Sequence, residues 1–241
     1  MNVALIFAGG VGTRMQNSTK PKQFLELYNK PVIIYTLEKF EENKNIDAIV
    51  VVCVEPWIDY LRKLLFKFDI QKVKFVIPGG ETGQESIFNG LCKIEEEFDH
   101  NSVVLIHDGV RPLINDEIIN RNIEAVKSHG SAITTCPPVE TFVLVDNEDV
   151  VKDVHDRSLS RLAKAPQSFY LRDILKVHRQ AREDCYTEAI DSCSLMTKYG
   201  YDVRLVSGIS ENIKITSPID FFIFKAIIDT QENLQVFGLI I

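Results

Sequence analysis

Asn2-Val-Ala-Leu-Ile-Phe-Ala8, followed at once by Gly9-Gly10-Val-Gly12-Thr-Arg14-Met15, is the stretch on which the fold turns. A short unbroken apolar run stopped by glycines reads as a strand covered on both faces. Such strands belong to parallel sheets sandwiched between helices, and the sequence beyond repeats the unit. Residues 47–54 and 73–77 are two further apolar strands, the second closed by Pro78-Gly79-Gly80. Residues 102–108 and 132–136 are a fourth and a fifth. Helical patterns fill the gaps. One opens at Pro31 with Val32, Ile33, Thr36, Leu37 and Phe40 on one face, and one at Pro56 with Leu61, Leu64, Leu65 and Phe68 inward. Others span 84–97 and 115–129, the last with Asn115 or Asp116 near its cap. The alternation predicts an α/β fold with a doubly wound, mostly parallel sheet.

The rhythm breaks at 139–154. Two extended runs, 141–145 and 150–154, flank the turn Asp146-Asn147-Glu148-Asp149, and predict a hairpin projecting from the main sheet. Helices near 171–184 and 191–199, a strand at 202–206 and a helix from Pro218 to about residue 230 follow. The end of the chain, 231–241, is polar and then apolar and receives no assignment.

The 241 residues carry 27 Lys+Arg against 34 Asp+Glu, a net charge of −7, so no basic field gathers a nucleic acid. A hydrophobic content of 45% excludes intrinsic disorder and, with this length, fits one domain spanning 1–241. No apolar run is long enough to span a membrane, and no basic segment precedes the first strand as in a signal peptide. Cys53, Cys92, Cys136, Cys185 and Cys193 are odd in number and form no C-x-x-C pair, so they read as reduced, mostly buried thiols in a cytoplasmic protein.

Parallel sheets bind ligands beyond the carboxyl ends of their strands, where this sequence is least ordinary. Gly9, Gly10 and Gly12 allow close backbone approach and a nest of N–H groups around phosphate. Arg14 and Lys22, the latter in Lys20-Pro-Lys22-Gln23, can neutralise a triphosphate. Met15 breaks the dinucleotide fingerprint, and no Gly-Lys-Ser/Thr follows as in a P-loop. The competing reading is a plain glycine-rich turn with solvated basic residues. In His107-Asp108-Gly-Val-Arg111-Pro112, Asp108 ends a strand and is placed either to hold Mg²⁺ beside phosphates or to cap a turn. Arg111 can brace that carboxylate or face an anion, and His107 reads as hydrogen-bonded structure rather than a base. Gly79-Gly80-Glu81-Thr-Gly-Gln-Glu-Ser86 can read a nucleobase edge or simply cap the next helix. Lys214, in Asn212-Ile-Lys-Ile-Thr216, is either a snorkelling surface residue or a buried phosphate ligand.

Taken in order, these motifs, with Pro21-Lys-Gln-Phe24 and Pro166-Gln-Ser-Phe169, resemble the cytidylyltransferases that make CDP-linked polyols. The resemblance runs through nearly the whole chain. It implies a Rossmann-like nucleotidyltransferase fold whose β-arm, here 139–157, embraces a partner subunit in a homodimer. It further implies a CTP site of Ala8, Gly9, Gly10, Gly12, Gly80, Glu81, Ser86 and Asp108. Arg14, Lys22 and Lys214 are implied as the catalytic cations, and Asp108 as the Mg²⁺ ligand. Arg111, Thr141 and Arg157 are implied for the polyol phosphate acceptor, the arm residues serving the neighbouring subunit.

The sequence departs from the common pattern at Gly83-Gln84, where many methylerythritol enzymes carry an arginine nearby, at Ala165 in place of threonine, and at Gly109 in place of alanine. Pro21-Lys-Gln-Phe-Leu-Glu-Leu27, Asn29-Lys-Pro31 and Val110 resemble the ribitol 5-phosphate branch more closely than the 2-C-methyl-D-erythritol 4-phosphate branch. A sugar-1-phosphate nucleotidyltransferase usually carries a longer loop than 15–20 here. A non-catalytic nucleotide-binding module would have little reason to keep Arg14, Lys22, Asp108 and Lys214 together.

Overall fold

Six consecutive apolar residues leave strand β1 (Asn2–Ala8) no polar face to turn to solvent. The computed structural model, which describes residues 1–9 and 20–236, buries it within a seven-stranded sheet. A small hairpin, β2 (Glu26–Leu27) and β3 (Lys30–Pro31), leads into α1 (Val32–Glu42). β4 (Ala48–Cys53), α2 (Ile58–Lys67), β5 (Val73–Pro78), α3 (Gly83–Glu97), β6 (Val103–Asp108), α4 (Asp116–His129) and β7 (Ser131–Cys136) then alternate as the sequence predicts. The excursion β8 (Val143–Val145) and β9 (Val151–Val154) follows, and then β10 (Leu162–Tyr170), α5 (Leu171–Glu183), α6 (Ser192–Lys198), β11 (Leu205–Ser207) and α7 (Pro218–Val236).

The strand order is β11-β7-β10-β6-β1-β4-β5, parallel at every pairing except the two made by β10. Alternate residues of β1 feed two cores. Ala4, Ile6 and Ala8 face α1, α2 and α4 through Ile34, Leu61 and Ile119, and Val3 and Leu5 face α3 and α5 through Leu91 and Ile174. Helices on both faces explain why the strands are apolar throughout.

The structure departs from the sequence reading in places. The apolar patterning does not announce β10 as a strand, although it lies between β6 and β7. Pro166 argues against a mid-sheet strand; here its missing N–H falls in a register break between Ala163 and Gln167. The last strand begins three residues later than expected and ends one residue later, at Ser207, and α7 runs on to Val236. A 3₁₀ turn, Glu55–Trp57, precedes α2. Asn115, not Asp116, caps α4, accepting from the Ile118 N–H at 3.0 Å. Residues 237–241 lie outside the described residues. None of the five cysteines is in a disulfide; Cys53 and Cys136 are buried, Cys92 and Cys193 half-buried, and Cys185 exposed.

The hairpin forms as expected and stays apart from the main sheet. Val143 pairs with Val154 and Leu144 with Asp153, and every residue of both strands is exposed.

Candidate active site

The chain builds β1, β4 and β5 outward in one direction and then returns to place β6 on the other side of β1. That reversal opens a crevice between the carboxyl ends of β1 and β6. Phe7 lies opposite Asp108 in the ladder, and the Gly109 N–H donates to the Phe7 carbonyl at 3.0 Å. Asp108 is 5% exposed and holds two cations. Arg111 Nε donates to Oδ2 at 2.7 Å, and Lys214 Nζ lies 2.6 Å from Oδ1. Burial alone would raise the carboxyl pKa; the charges and hydrogen bonds of Lys214 and Arg111 outweigh it and hold Asp108 at about 2. His107 is fully buried, and its Nε2–H donates to the Arg111 carbonyl at 3.1 Å. Burial pulls its pKa down to about 4, so it is neutral at pH 7 and structural, as its sequence context suggests.

Lys214 is neither a free surface lysine nor a buried one. Its neighbour Ile215 is fully buried with Val110, Leu113 and Phe224, and its N–H donates to the Val110 carbonyl at 2.9 Å. The backbone before it is stitched to β10 and to Arg111. The Asn212 amide donates to the Ala165 carbonyl at 2.7 Å, and Arg111 Nη1 donates to the Asn212 carbonyl at 2.9 Å. Lys164 Nζ donates to the Ile209 and Ser210 carbonyls at 3.2 and 2.9 Å. Beyond Lys214, Asp220 accepts from the N–H and hydroxyl groups of Thr216 and Ser217, fixing the start of α7.

The two glycine turns meet. A Cβ on Gly9 or Gly79 would lie 3.1 or 3.0 Å from Ser86 Oγ, so β1, β5 and α3 pack tightly here and a side chain at either position would have to push Ser86 aside. Ser86 Oγ accepts from the Gly80 N–H at 3.0 Å, Glu85 from the Glu81 N–H at 2.8 Å, and Thr82 Oγ1 from the Glu85 N–H at 3.1 Å. The turn therefore does cap α3 and sets Ser86 against Gly9 at the end of β1, while Gly80, Glu81 and Ser86 themselves do not line the cavity around Asp108. On the other side, Gln23 Nε2 donates to the Ala8 carbonyl at 2.7 Å. That bond ties the 3₁₀ turn Lys22–Phe24, and with it half-buried Lys22, to the end of β1.

A cavity of about 460 Å³ opens from Asp108, Arg111 and Lys214 towards Gly83, Lys164 and the 187–192 segment. Gly10, Gly12 and Arg14 lie outside the described residues. Thr141 and Arg157 are exposed at the arm, away from this cavity; Arg157 Nη1 donates to the Val139 carbonyl at 3.0 Å and closes the arm's base.

The family model for 2-C-methyl-D-erythritol 4-phosphate cytidylyltransferase (IspD) matches residues 2–230. The chain belongs to the IspD family. Within it, a ribitol-5-phosphate cytidylyltransferase of Streptococcus agalactiae serotype V is 53% identical over 99% of this chain and all of its own length. A 2-C-methyl-D-erythritol 4-phosphate cytidylyltransferase of Clostridium botulinum is 35% identical over 95% of this chain and 97% of its own. Among solved structures, the 4-diphosphocytidyl-2C-methyl-D-erythritol synthase of Anaerococcus prevotii superposes with a TM-score of 0.81 at 26% identity, covering 94% of this chain and 95% of that one.

Some residues of this IspD-family cavity escaped the sequence reading. Lys164 and Gln167 lie on β10, and 187–191 is the connection that leads into α6. The Pro166-Gln167 dipeptide was the one available pointer. Among the described residues no three His, Cys, Asp or Glu side chains gather into a metal cage. A single buried carboxylate nevertheless suits magnesium, which takes one or two carboxylates and completes its shell with phosphates and water. Lys214, with a side chain 39% exposed, has room to exchange Oδ1 for a phosphate.

Proposed function

We propose that the chain transfers CMP from CTP to D-ribitol 5-phosphate, giving CDP-ribitol and pyrophosphate. The observation that carries the reading is the full-length 53% identity to a ribitol-5-phosphate cytidylyltransferase. Buried Asp108, with Arg111 and half-exposed Lys214 upon it at the mouth of the crevice, gives it a chemical basis. The competing acceptor is 2-C-methyl-D-erythritol 4-phosphate, named by the family description and by a more distant relative.

An acceptor phosphate oxygen attacks the α-phosphorus of CTP, the bond to the β-phosphate bridge oxygen breaks, and pyrophosphate leaves in line. The nucleophile is already an anion at neutral pH, so no general base is needed, in keeping with a neutral, buried His107. Catalysis is then positioning and charge neutralisation. Ala8, Gly9, Gly10 and Gly12 cradle the triphosphate, with Arg14 and Lys22 as its cations. Gly80, Glu81 and Ser86 receive the cytosine. Lys214 meets the charge that develops at the α-phosphate, and Arg111 holds Asp108 in place as it does so. Mg²⁺, held by Asp108, would supply further charge neutralisation to the phosphate oxygens.

The acceptor half of the site is shared between two subunits in this reading, with 1–241 as one domain and 139–157 as its arm. Val143, Leu144, Val145, Val151 and Val154 are each about half exposed on a two-stranded ribbon that pairs with no other strand among the described residues. Such a ribbon is marginal in water and wants a second surface. A C2 dimer supplies it and carries Thr141 and Arg157 to the neighbour's acceptor phosphate. A cytoplasmic location suits the free thiols.

Pyrophosphate release with ribitol 5-phosphate and CTP, UTP or dTTP tests the reading. CTP alone should support rapid turnover; equal rates with UTP or dTTP would point to a sugar-1-phosphate type of nucleotidyltransferase, and no turnover with any would leave a binding module.

A further inference from the structure

The side-chain amide of Gln84, one residue into α3, reaches across more than a hundred positions of sequence to the connection between α5 and α6. Its Nε2 donates to the Tyr186 carbonyl at 2.8 Å, and its Oε1 accepts from the Ala189 N–H at 3.0 Å. A primary amide can meet a backbone in this two-bond way because it carries the same donor and acceptor as a peptide unit. The segment it holds matters to the cavity. Thr187, Glu188, Ala189 and Ile190 line the 460 Å³ space that also contains Asp108 and Lys214. Gln84 stands, with Thr82, His178 and Thr187, between that space and a neighbouring one of about 410 Å³.

We propose that Gln84 is a positioning residue for the acceptor: its amide fixes the 186–189 segment against the start of α3 and so shapes the wall that the polyol phosphate meets. The proposal rests on the transfer reaction proposed above. It separates acceptor from nucleotide because the turn offered to cytosine has its own bonds. Gly80 is held by Ser86, Glu81 by Glu85, and Glu85 by Thr82, none of them through the Gln84 side chain. Loss of the amide leaves that turn intact, while the wall loses a bond at Tyr186 and another at Ala189.

Gln84→Met keeps the length of the side chain and removes both bonds; Gln84→Glu keeps an acceptor for the Ala189 N–H. Steady-state kinetics with CTP and ribitol 5-phosphate, and amide hydrogen exchange at Ala189, should be read on both variants beside the wild type. Gln84→Met should raise KM for ribitol 5-phosphate about tenfold, leave KM for CTP within about twofold, and speed exchange at Ala189. Gln84→Glu should fall between it and the wild type, and carries the same test if Gln84→Met does not fold. Equal rises in both KM values would overturn the proposal, as would faster Ala189 exchange with an unchanged acceptor KM, or unchanged exchange. Wild-type turnover in the same assay reports separately on the reaction: a wild type inactive with ribitol 5-phosphate refutes the transfer reading, whatever Ala189 exchange shows.

Discussion

Asp108 is one carboxylate serving two cations inside the protein, and removing its charge leaves Arg111 and Lys214 facing each other. Asp108→Asn should therefore act on both function and stability. Turnover should lose its ordinary Mg²⁺ dependence, and stability at neutral pH should fall by about 2 kcal/mol, the scale set by the depression of the carboxyl pKa. The carboxyl pKa is depressed from 3.8 to about 2, so its contribution is complete above pH 4 and fades as pH falls towards 2. Urea unfolding at several pH values should show the gap between wild type and variant closing over that window, and an unchanged Mg²⁺ titration would remove Asp108 from the metal site. His178 is the opposite case. It is 1% exposed, neither ring nitrogen has a hydrogen-bond partner among the described residues, and burial pulls its pKa from 6.5 to about 4. The unfolded chain takes up a proton first, so stability is lost as pH drops from 6.5 towards 4. His107 acts over the same window. His178→Phe, facing Phe88 across 6.0 Å, should shallow the fall of Tm over that range without abolishing it. Parallel Tm-against-pH curves would show that His178 is not the source.

α3 shows how an element can be both core and active-site wall. A Cβ on Gly90 would lie 2.4 Å from Leu5 Cδ1 and 3.0 Å from Val52 Cγ2, so the helix sits directly on β1 and β4. Gly90→Ala should destabilise by about 1–2 kcal/mol despite the better helix propensity of alanine, and should raise KM for CTP by displacing Ser86. Gly83→Ala is the matched control: a Cβ there meets nothing within 4 Å, and its thermal unfolding should be unchanged or slightly later. Equal destabilisation by both would mean that close packing is not what Gly90 provides. The same elements show what sequence could reveal. β1, β4 and β6 announced themselves because burial on both faces leaves a continuous apolar run. Asp108 and the Gly79–Ser86 turn were visible because chemistry at strand ends interrupts such runs. β10 was hidden by Pro166 and by the polar Lys164, whose partners are carbonyls more than forty residues away. Gln84 could be quoted from sequence but not understood, since its bonds to Tyr186 and Ala189 exist only once α3 and α5 are packed.

The molecule as a whole is a sheet with a crevice at its strand-order reversal and an apolar ribbon extended away from it. If the ribbon completes a neighbour's site, Arg157→Ala should raise KM for the acceptor by tenfold or more with little change for CTP. Lys22→Ala should instead lower kcat by about 10²-fold. Mixed Arg157→Ala and Lys22→Ala subunits should then regain activity, because a heterodimer contains one site made of two intact surfaces. A mixture as inactive as its parents, or a monomer by light scattering at micromolar concentration, would mean that each chain builds its site alone. The claim on which all of this rests is acceptor choice, and it is read by kcat/KM for ribitol 5-phosphate against 2-C-methyl-D-erythritol 4-phosphate at saturating CTP and Mg²⁺. A preference for ribitol 5-phosphate of about 10²-fold or more, about 3 kcal/mol in transition-state binding, is expected; a preference of that size for the methylerythritol phosphate would overturn the assignment.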